Sequence, residues 1–401
     1  MKKVWDKWTR IALVKRILVG LILGAILGIA VPQATGIAIL GDVFVSALKA
    51  IAPLLVFFLV ISSLCNAGKS HGGVIKTVII LYMFSTVLAA VIAVFASMAF
   101  PVKMTLANAA TDTSAPQGIV EVLNNLLLNV VANPVSSLVN ANYVGILMWA
   151  VLLGLAFRAA DKMTKKVLAD VADGISMVVT WIINLAPFGI FGLVFNTVST
   201  NGLDIFTTYG KLLLLLVGCM LFIYFVTNPL LVYWCIRQNP YPLIFQCLKR
   251  SALTAFFTRS SAANIPVNMK VCEEMGLDRD TYSVTIPLGA TINMDGAAIT
   301  ITVMTMATAF TLGIHVDIPT AIILSLLAAL SACGASGVAG GSLLLIPMAC
   351  SLFGISDDIS MQVVAVGFII GVVQDSVETA LNSSSDLLLS ASAEFRQWRR
   401  E

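Results

Sequence analysis

Apolar stretches of membrane length alternate with short polar segments along most of the chain. They lie near residues 12–32, 41–66, 75–100, 143–160, 167–199, 210–236, 281–314 and 359–393. An α-helix rises about 1.5 Å per residue and the hydrocarbon core of a bilayer is about 30 Å thick, so each stretch can cross it once. The pattern predicts an all-α polytopic membrane protein with eight transmembrane helices.

Two other apolar stretches are interrupted by small polar residues and helix breakers. The interruptions are residues 258–266, with the sequence TRSSAANIP, and residues 333–342, with the sequence CGASGVAGGS. Broken backbone is tolerated inside a membrane only where it lines a protein or water cavity, and a matched pair of breaks points to a transporter's binding site. We therefore expect two re-entrant helical hairpins, one gating each face of a buried site.

Composition and charge agree with a membrane protein. Of the 401 residues 59% are hydrophobic and 11% are charged, against about 25% charged in soluble domains. Lysine and arginine concentrate on one predicted side, whereas the loops 101–118, 200–209 and 314–318 contain only Lys103. This asymmetry predicts cytoplasmic N- and C-termini. The net charge of +3 thus reflects orientation and gives no reason to expect a nucleic-acid partner.

Residues typical of enzymes and metal sites are scarce. The seven cysteines show no C-x-x-C spacing and are expected to be small packing residues, and the chain has only two histidines. No H-E-x-x-H motif or Walker P-loop is present. We therefore expect neither an enzyme nor a primary pump, and no organic cofactor.

The eighth predicted span carries a polar face. Asp375, Thr379, Asn382 and Asp386 are spaced i, i+4, i+7 and i+11, within about 60° of arc on a helix, and Glu378 borders this face. A charge in an apolar span costs at least about 2.5 kcal/mol unless it is paired, hydrated or bound to a cation. Several acids together indicate co-bound cations.

The seventh span and the hairpin tips supply complementary groups. Asp295 is the only charge between Tyr282 and Leu312, and the surrounding Thr291-Ile292-Asn293-Met294-Asp295-Gly296 is a poor helix interior. Local unwinding there would expose carbonyl groups that suit Na⁺. In the first tip, the free N–H groups near Ser260 and Ser261 favour a carboxylate. Arg259 must pair with an acid or touch the substrate; Asp375 and Glu378 are both open as its partner.

At these residues the chain resembles the dicarboxylate/amino acid:cation symporter family, the glutamate transporter-like family, over nearly its whole length. The matching motifs are T-R-S-S at 258–261, N-M-D-G at 293–296, G-x-x-G-V at 334–338 and D-x-x-x-T-x-x-N-x-x-x-D at 375–386. The resemblance implies an elevator fold of eight transmembrane helices and two re-entrant hairpins. It also implies a homotrimer in which a scaffold holds a mobile transport domain.

The resemblance assigns residues to two kinds of site. The implied sodium ligands are Gly289, Thr291, Asn293, Asp295, Asn382 and Asp386, with Tyr82, Ser85 and Thr86 as part of a further sodium site. The implied substrate-binding residues are Arg259, Ser260, Ser261, Val338, Ser342, Asp375, Glu378, Thr379 and Asn382. Among these, Asp375 is expected to hold the α-amino group, and Ser261 and Asn382 the α-carboxylate.

The resemblance also divides the chain. Residues 1–74 form two largely scaffold spans, 75–100 a third span in the transport domain, and 101–240 the scaffold and trimerisation spans four and five with the sixth span. Residues 241–279 form the first hairpin, 280–314 the seventh span, 315–355 the second hairpin, and 356–401 the eighth span with a cytoplasmic tail.

The substrate class follows from a departure from the family pattern. Members that carry acidic substrates have an arginine three residues after the amino-binding aspartate, where this chain has Glu378, and Ala297 replaces a hydroxyl that helps hold the same group. A small neutral amino acid is therefore expected, and the chain is most similar to the bacterial serine/threonine:sodium symporters of the inner membrane. Two alternatives stay open: a sodium- or proton-coupled carrier of acidic amino acids or dicarboxylates, and an ion channel.

Overall fold

The structure is a computed structural model that describes residues 11, 13–66, 73–106, 128, 131–202, 204–333, 335 and 340–399. Helices dominate these residues, and no strand occurs within the described ranges. The first seven helices are α1 Leu13–Ala30, α2 Ala38–Asn66, α3 Gly73–Ala99, α4 Pro134–Val139, α5 Tyr143–Phe157, α6 Lys162–Asn184 and α7 Ala186–Asn201.

The remaining helices contain most of the breaks. They are α8 Asp204–Phe222, α9 Asn228–Ile236, α10 Tyr241–Cys247, α11 Leu253–Thr258, α12 Ser261–Glu274, α13 Arg279–Ile292, α14 Asp295–Thr311, α15 Ile318–Ala332, α16 Ile346–Ser351 and α17 Asp357–Trp398. The π-helical turns Ile223–Thr227 and Leu248–Ala252 join α8 to α9 and α10 to α11, and the 3₁₀ turn Gly341–Leu345 precedes α16.

Six helical stretches of the described chain are long and apolar enough to cross a membrane. They are Thr35–Asn66, Gly73–Ala99, Lys162–Asn184, Phe206–Ile236, Arg279–Thr311 and Asp357–Trp398. The predicted spans near 12–32 and 143–160 correspond to α1 and α5, which lie outside this set. The count of eight spans therefore stays a prediction, and the predicted span 167–199 is divided between α6 and α7 around Leu185.

Both interrupted stretches are broken where the sequence predicts. The first hairpin, residues 241–274, breaks at Arg259 and Ser260 between α11 and α12. The second hairpin, residues 318–351, breaks between α15 and Gly341. The seventh span is also broken, because Asn293 and Met294 leave the helical conformation between α13 and α14. We call these two residues the unwound segment; they are the local unwinding expected from the sequence.

The helices pack in two groups. In the first, α1 lies against α7, and α2 against α5, α6 and α7. A β-carbon on Gly20 would lie 2.2 Å from the carbonyl oxygen of Pro187, so only glycine permits this approach. In the second group α3 packs on α13, α14, α15 and α17, although it comes early in the sequence. The centre of this group is α14, buried from Asp295 to Ala309, and α17, a continuous helix of 42 residues.

Candidate functional site

The polar face predicted for the eighth span lies on α17 and is enclosed by protein. Asp375, Thr379, Asn382 and Asp386 are each at most 6% exposed. From Asp375 to Asp386 the helix rises about 16 Å, so the face spans about half of a bilayer's hydrocarbon core. Acids this deeply buried need hydrogen-bond donors, ion partners or bound cations.

Asp375 joins the tips of both hairpins. Nε of Arg259, in the first hairpin, lies 2.6 Å from its Oδ2 atom, and the backbone N–H of Gly340, in the second hairpin, donates to Oδ1 at 3.2 Å. The Arg259 and Asp375 side chains are only 11% and 5% exposed. Removal of either partner would leave a buried charge without its ion partner. The sequence left two possible partners for Arg259, and the structure selects Asp375 over Glu378.

The first tip is shaped by its two break residues. Arg259 ends α11 in the left-handed conformation with φ of 52°, which is costly for a residue with a β-carbon. Ser260 begins α12 as its N-cap, and its hydroxyl accepts a hydrogen bond from the N–H of Ala263 at 3.2 Å. Ser261 follows as a buried residue at the helix start, where the first N–H groups favour an anion.

Two buried asparagines hold the second limb of this hairpin against α17. Nδ2 of Asn264 donates to the hydroxyl of Ser383 at 2.8 Å and to that of Ser251 at 3.0 Å. Nδ2 of Asn268 donates to the carbonyl of Ser383 at 2.8 Å. These bonds fix the position of α12, and hence of its N-terminus, relative to the acids of α17.

Glu378 is held through one of its two carboxylate oxygens. Its Oε2 atom accepts hydrogen bonds from Gln374 Nε2 at 2.5 Å, from the Thr300 hydroxyl at 2.6 Å and from the Ser342 hydroxyl at 2.9 Å. All four side chains are at most 5% exposed. Gln374 Nε2 also donates to the Thr300 hydroxyl at 2.7 Å. These three hydrogen bonds fix the orientation of the Glu378 carboxyl group.

At the unwound segment, the seventh span meets the part of the α17 face that carries Asn382 and Asp386. The N–H of Gly296 donates to Oδ1 of Asn382 at 2.7 Å, and Nδ2 of Asn293 donates to Oδ1 of Asp386 at 2.9 Å. Because Asn293 leaves the helix at φ −98° and ψ 78°, its side chain can reach α17.

Two buried oxygen atoms at this junction receive no hydrogen bond from the residues that the structure describes. They are Oδ1 of Asn293 and Oδ2 of Asp386, and the two residues are at most 1% exposed. Buried acceptors without donors are rare and costly. Amide and carboxylate oxygens are hard ligands, and a bound cation such as Na⁺ would satisfy both.

Gly289 faces the same junction through its backbone. Its carbonyl accepts the N–H of Asn293 at 2.9 Å, and a β-carbon here would lie 2.7 Å from Oδ1 of Asp386 and 2.9 Å from the Tyr82 hydroxyl. The Tyr82 hydroxyl contacts Ser390 Oγ at 2.7 Å and donates to the Asp386 carbonyl at 2.9 Å. Glycine is therefore required for Asp386 and Tyr82 to approach α13 this closely.

Asp295 forms a second acidic centre with α3. Its Oδ2 accepts from the Ser85 hydroxyl at 2.7 Å, and its Oδ1 from the Thr86 hydroxyl at 3.2 Å. The carboxylate lies in the first turn of α14, where the helix dipole favours negative charge. Ser85 also reaches Oδ1 of Asn228, at the start of α9, at 3.4 Å. The structure thus brings Ser85 and Thr86 to Asp295, while Tyr82 joins Asp386.

Three predicted site residues either make local hydrogen bonds within their own helix or lie outside the described part of the chain. Val338 falls outside the described residues. The Thr291 hydroxyl donates to the carbonyl of Leu288 on its own helix at 2.7 Å. The Thr379 hydroxyl donates to the carbonyl of Asp375 at 2.8 Å while remaining on the polar face.

Several site residues were missed from the sequence. They are Thr300 and Gln374 beside Glu378, Asn228 beside Ser85, and Asn264, Asn268 and Ser383 between the first hairpin and α17. Gln374 could have been predicted from the sequence as a partner of Glu378, because it lies four residues before Glu378 on the same helix face. The others pair with residues far away in sequence and gave no comparable signal.

The chain is similar to known proteins along its whole length. Residues 13–394 match the model of the sodium:dicarboxylate symporter family. The chain is 58% identical to the serine/threonine transporter SstT of Bifidobacterium adolescentis over 402 aligned residues, which cover 100% of this chain and 94% of the relative. It is 55% identical to the proteins of the same name from two Streptococcus thermophilus strains, over the whole of both chains.

These matches confirm the resemblance drawn from the motifs of the two hairpins and the last two spans. With the apolar helices, they identify a multi-pass membrane protein that transports a solute and is not an enzyme. The chain belongs to the sodium:dicarboxylate symporter family.

Proposed function

We propose that the chain is a sodium-coupled secondary active importer of small neutral amino acids, chiefly serine and threonine. The observation that carries this proposal is the pairing of Asp375 with Arg259 while Glu378 stands one helical turn away. A site with a carboxylate for an amino group and a second carboxylate beside it suits a neutral zwitterion and repels a substrate with an acidic side chain. The names of the relatives support the same substrates.

In the proposed binding mode the substrate's α-amino group replaces the Arg259 guanidinium on Asp375. The α-carboxylate lies at the N-terminus of α12, near Ser261, with Asn382 and Thr379 alongside. Ser260 supports this position as the helix cap, and the backbone around Val338 would complete it from the second hairpin. Arg259 thus stabilises Asp375 when no substrate is bound.

Glu378 recognises the substrate's hydroxyl group in this scheme. Its Oε2 atom is already occupied by three donors, so Oε1 is the oxygen that can accept from serine or threonine. Thr300 and Gln374 are positioning residues that hold the carboxylate. The Ser342 hydroxyl extends this contact to the second hairpin, so side-chain recognition and closure of that hairpin would involve the same residue.

Two groups of oxygen ligands would hold the co-transported sodium ions. One is built from Asn293, Asp386, Asn382 and the carbonyl of Gly289, where two oxygens lack donors. The other is built from Asp295, Ser85 and Thr86, whereas Tyr82 would belong to the first group through its contact with the Asp386 carbonyl. Thr291, which lies close to the unwound segment, would contribute an oxygen ligand to the first group. Sodium binding would neutralise acids whose charge is otherwise costly at this depth.

The mechanism we propose is elevator-type alternating access. The hairpins would serve as gates, and the group containing α3 and α8–α17 would move against a scaffold of α1, α2 and α5–α7. We further propose a homotrimer in the bacterial inner membrane with cytoplasmic termini. The support for orientation is the lysine and arginine asymmetry; the support for the trimer is family membership.

Uptake of radiolabelled serine into proteoliposomes tests the function. We expect saturable uptake driven by an inward sodium gradient, with competition by threonine and alanine but not by aspartate. Strong competition by aspartate would favour the acidic-substrate carrier instead. Flux that rises linearly without saturation would favour a channel.

The sodium ligands are tested in the same assay with Asp386→Asn. Because ligand charge tunes cation affinity, we expect the sodium concentration for half-maximal uptake to rise about tenfold or more. Asp280→Asn, which changes an exposed acid in the first turn of α13, is the matched control and should leave it unchanged. Unaltered sodium dependence in Asp386→Asn would remove this residue from the proposed site.

A further inference from the structure

An open apolar groove lies between α3 and α8, away from the substrate site. Its volume is about 820 Å³, and its walls include Ile92 and Phe95 of α3 and Leu214 and Phe222 of α8. These walls face outward, since Phe95 is 54% exposed, Leu214 77% and Phe222 47%. In a multi-pass membrane protein such a surface meets lipid, and its concave shape distinguishes it from an ordinary lipid-facing helix.

The groove has the length of one bilayer leaflet. Along α8 its wall extends from Lys211 to Phe222, which is about 16 Å at 1.5 Å per residue. Half of the roughly 30 Å hydrocarbon core is nearly the same length. An acyl chain of one leaflet can therefore lie along the groove without leaving it.

One end of the groove carries a positive charge. Lys211 is the only charged residue among the lining residues that the structure describes, and it lies at the end of the α8 wall opposite Phe222. A lysine beside apolar surface extends its ammonium group toward the membrane interface. Lys103, which follows the lining residue Val102, is exposed as well. The cationic end and the apolar length together match an amphiphile with an anionic head.

We propose that this groove is a binding site for a phospholipid with an anionic headgroup, with an acyl chain between α3 and α8 and the headgroup on Lys211. Gly218 provides the space for the chain, because a β-carbon there would meet no atom within 4 Å. The lipid would bridge two helices of the group that carries the substrate site.

Native mass spectrometry of the purified full-length protein tests this proposal. After delipidation, the protein is incubated with phosphatidylglycerol or with phosphatidylcholine of the same acyl chains. We expect wild type to retain phosphatidylglycerol about fivefold better, as expected for one lysine near an anionic lipid. Lys211→Gln should abolish this preference, and Gly218→Phe should fill the groove and reduce retention of both lipids.

Gly210→Phe is the matched control. Gly210 lies on the same helix with equal free space around its β-carbon position, but it does not line the groove. This variant should bind lipid as wild type does. Equal lipid retention in Gly218→Phe and wild type would overturn the proposal, as would an equal loss in both glycine variants or no headgroup preference in wild type. A change in oligomeric mass in Gly218→Phe without lipid loss would show that a second copy of the chain occupies the groove, and would also overturn it.

Discussion

Among the residues that the structure describes, the hydrogen bonds to the Glu378 carboxylate all fall on Oε2. Gln374, Thr300 and Ser342 all donate to Oε2, so the carboxylate cannot rotate without losing three bonds. In the proposed binding mode, selectivity for a substrate hydroxyl group would therefore depend on the orientation of this one side chain, which Thr300 and Gln374 hold.

Glu378→Gln should reduce discrimination between serine and alanine. The amide oxygen is the only part of glutamine that can accept from the three donors, so its NH₂ group would face the substrate. The hydroxyl group of serine would then lose its hydrogen-bond acceptor. Alanine has no hydroxyl group, so its binding would not change in this way. A hydrogen bond to a charged group contributes about 1.5–3 kcal/mol, so we expect the serine-to-alanine ratio of kcat/KM to fall about tenfold or more.

Uptake of both substrates by the same proteoliposomes measures this ratio. Glu394→Gln is the control, because Glu394 is a buried acid near the other end of α17, where it accepts from the N–H of Asp278. A ratio in Glu378→Gln equal to that of wild type would exclude Glu378 as the hydroxyl acceptor.

Residue-level prediction succeeded where a pattern lay within one helix. The spacing of Asp375, Thr379 and Asn382 placed them on one buried face. The sequence could not choose the partner of Arg259, because both candidate acids lie on the same helix and more than 100 residues away. Asn228 was missed for the same physical reason: its partner Ser85 is 143 positions away, and only tertiary packing brings them together.

At the scale of elements, breaks in helices position the site. The breaks in the two hairpins and in the seventh span were visible in the sequence as small, polar or helix-breaking residues. The π-helical turns Ile223–Thr227 and Leu248–Ala252 were not, because their sequences contain ordinary helix-compatible residues. The first of them directly precedes Asn228, and π-helical turns frequently occur next to functional positions.

Close packing of α14 on α17 depends on Gly296. A β-carbon there would lie 2.9 Å from Cα of Glu378 and 3.0 Å from its carbonyl oxygen. Gly296→Ala should therefore force the helices apart and lower stability by about 1–3 kcal/mol, with loss of serine uptake.

Thermal unfolding in detergent, read by tryptophan fluorescence, measures this effect. Gly371→Ala is the paired variant, because a β-carbon on Gly371 would meet only a Leu343 methyl group at 4.0 Å. Alanine also favours helix over glycine, so Gly371→Ala should unfold at the same temperature or slightly higher. Similar melting temperatures for Gly296→Ala and wild type would show that α14 and α17 tolerate a wider separation.

At the scale of the molecule, the two packing groups meet across an incompletely filled interface. Phe44 of α2 and Phe368 of α17 pack edge to face with ring centroids 5.3 Å apart. Beside α2, α7 and α17 lies a cavity of about 220 Å³ lined by polar and apolar residues, including Asp42, Asn196 and Gln362. An interface with a cavity has fewer contacts to break when one group slides past the other.

Crosslinking across this interface should stop transport if the groups move as proposed. In a background without the seven native cysteines, Phe44→Cys and Phe368→Cys together would place two thiols on opposite groups. Treatment with a reducible bifunctional thiol reagent should abolish serine uptake, and reduction should restore it, because movement of α17 past α2 requires the two positions to separate. Each single variant under the same treatment is the control and should keep its activity. Full uptake by a protein shown to be crosslinked would mean that α17 and α2 stay together through the transport cycle, and the substrate would then have to cross by movements of the hairpins alone.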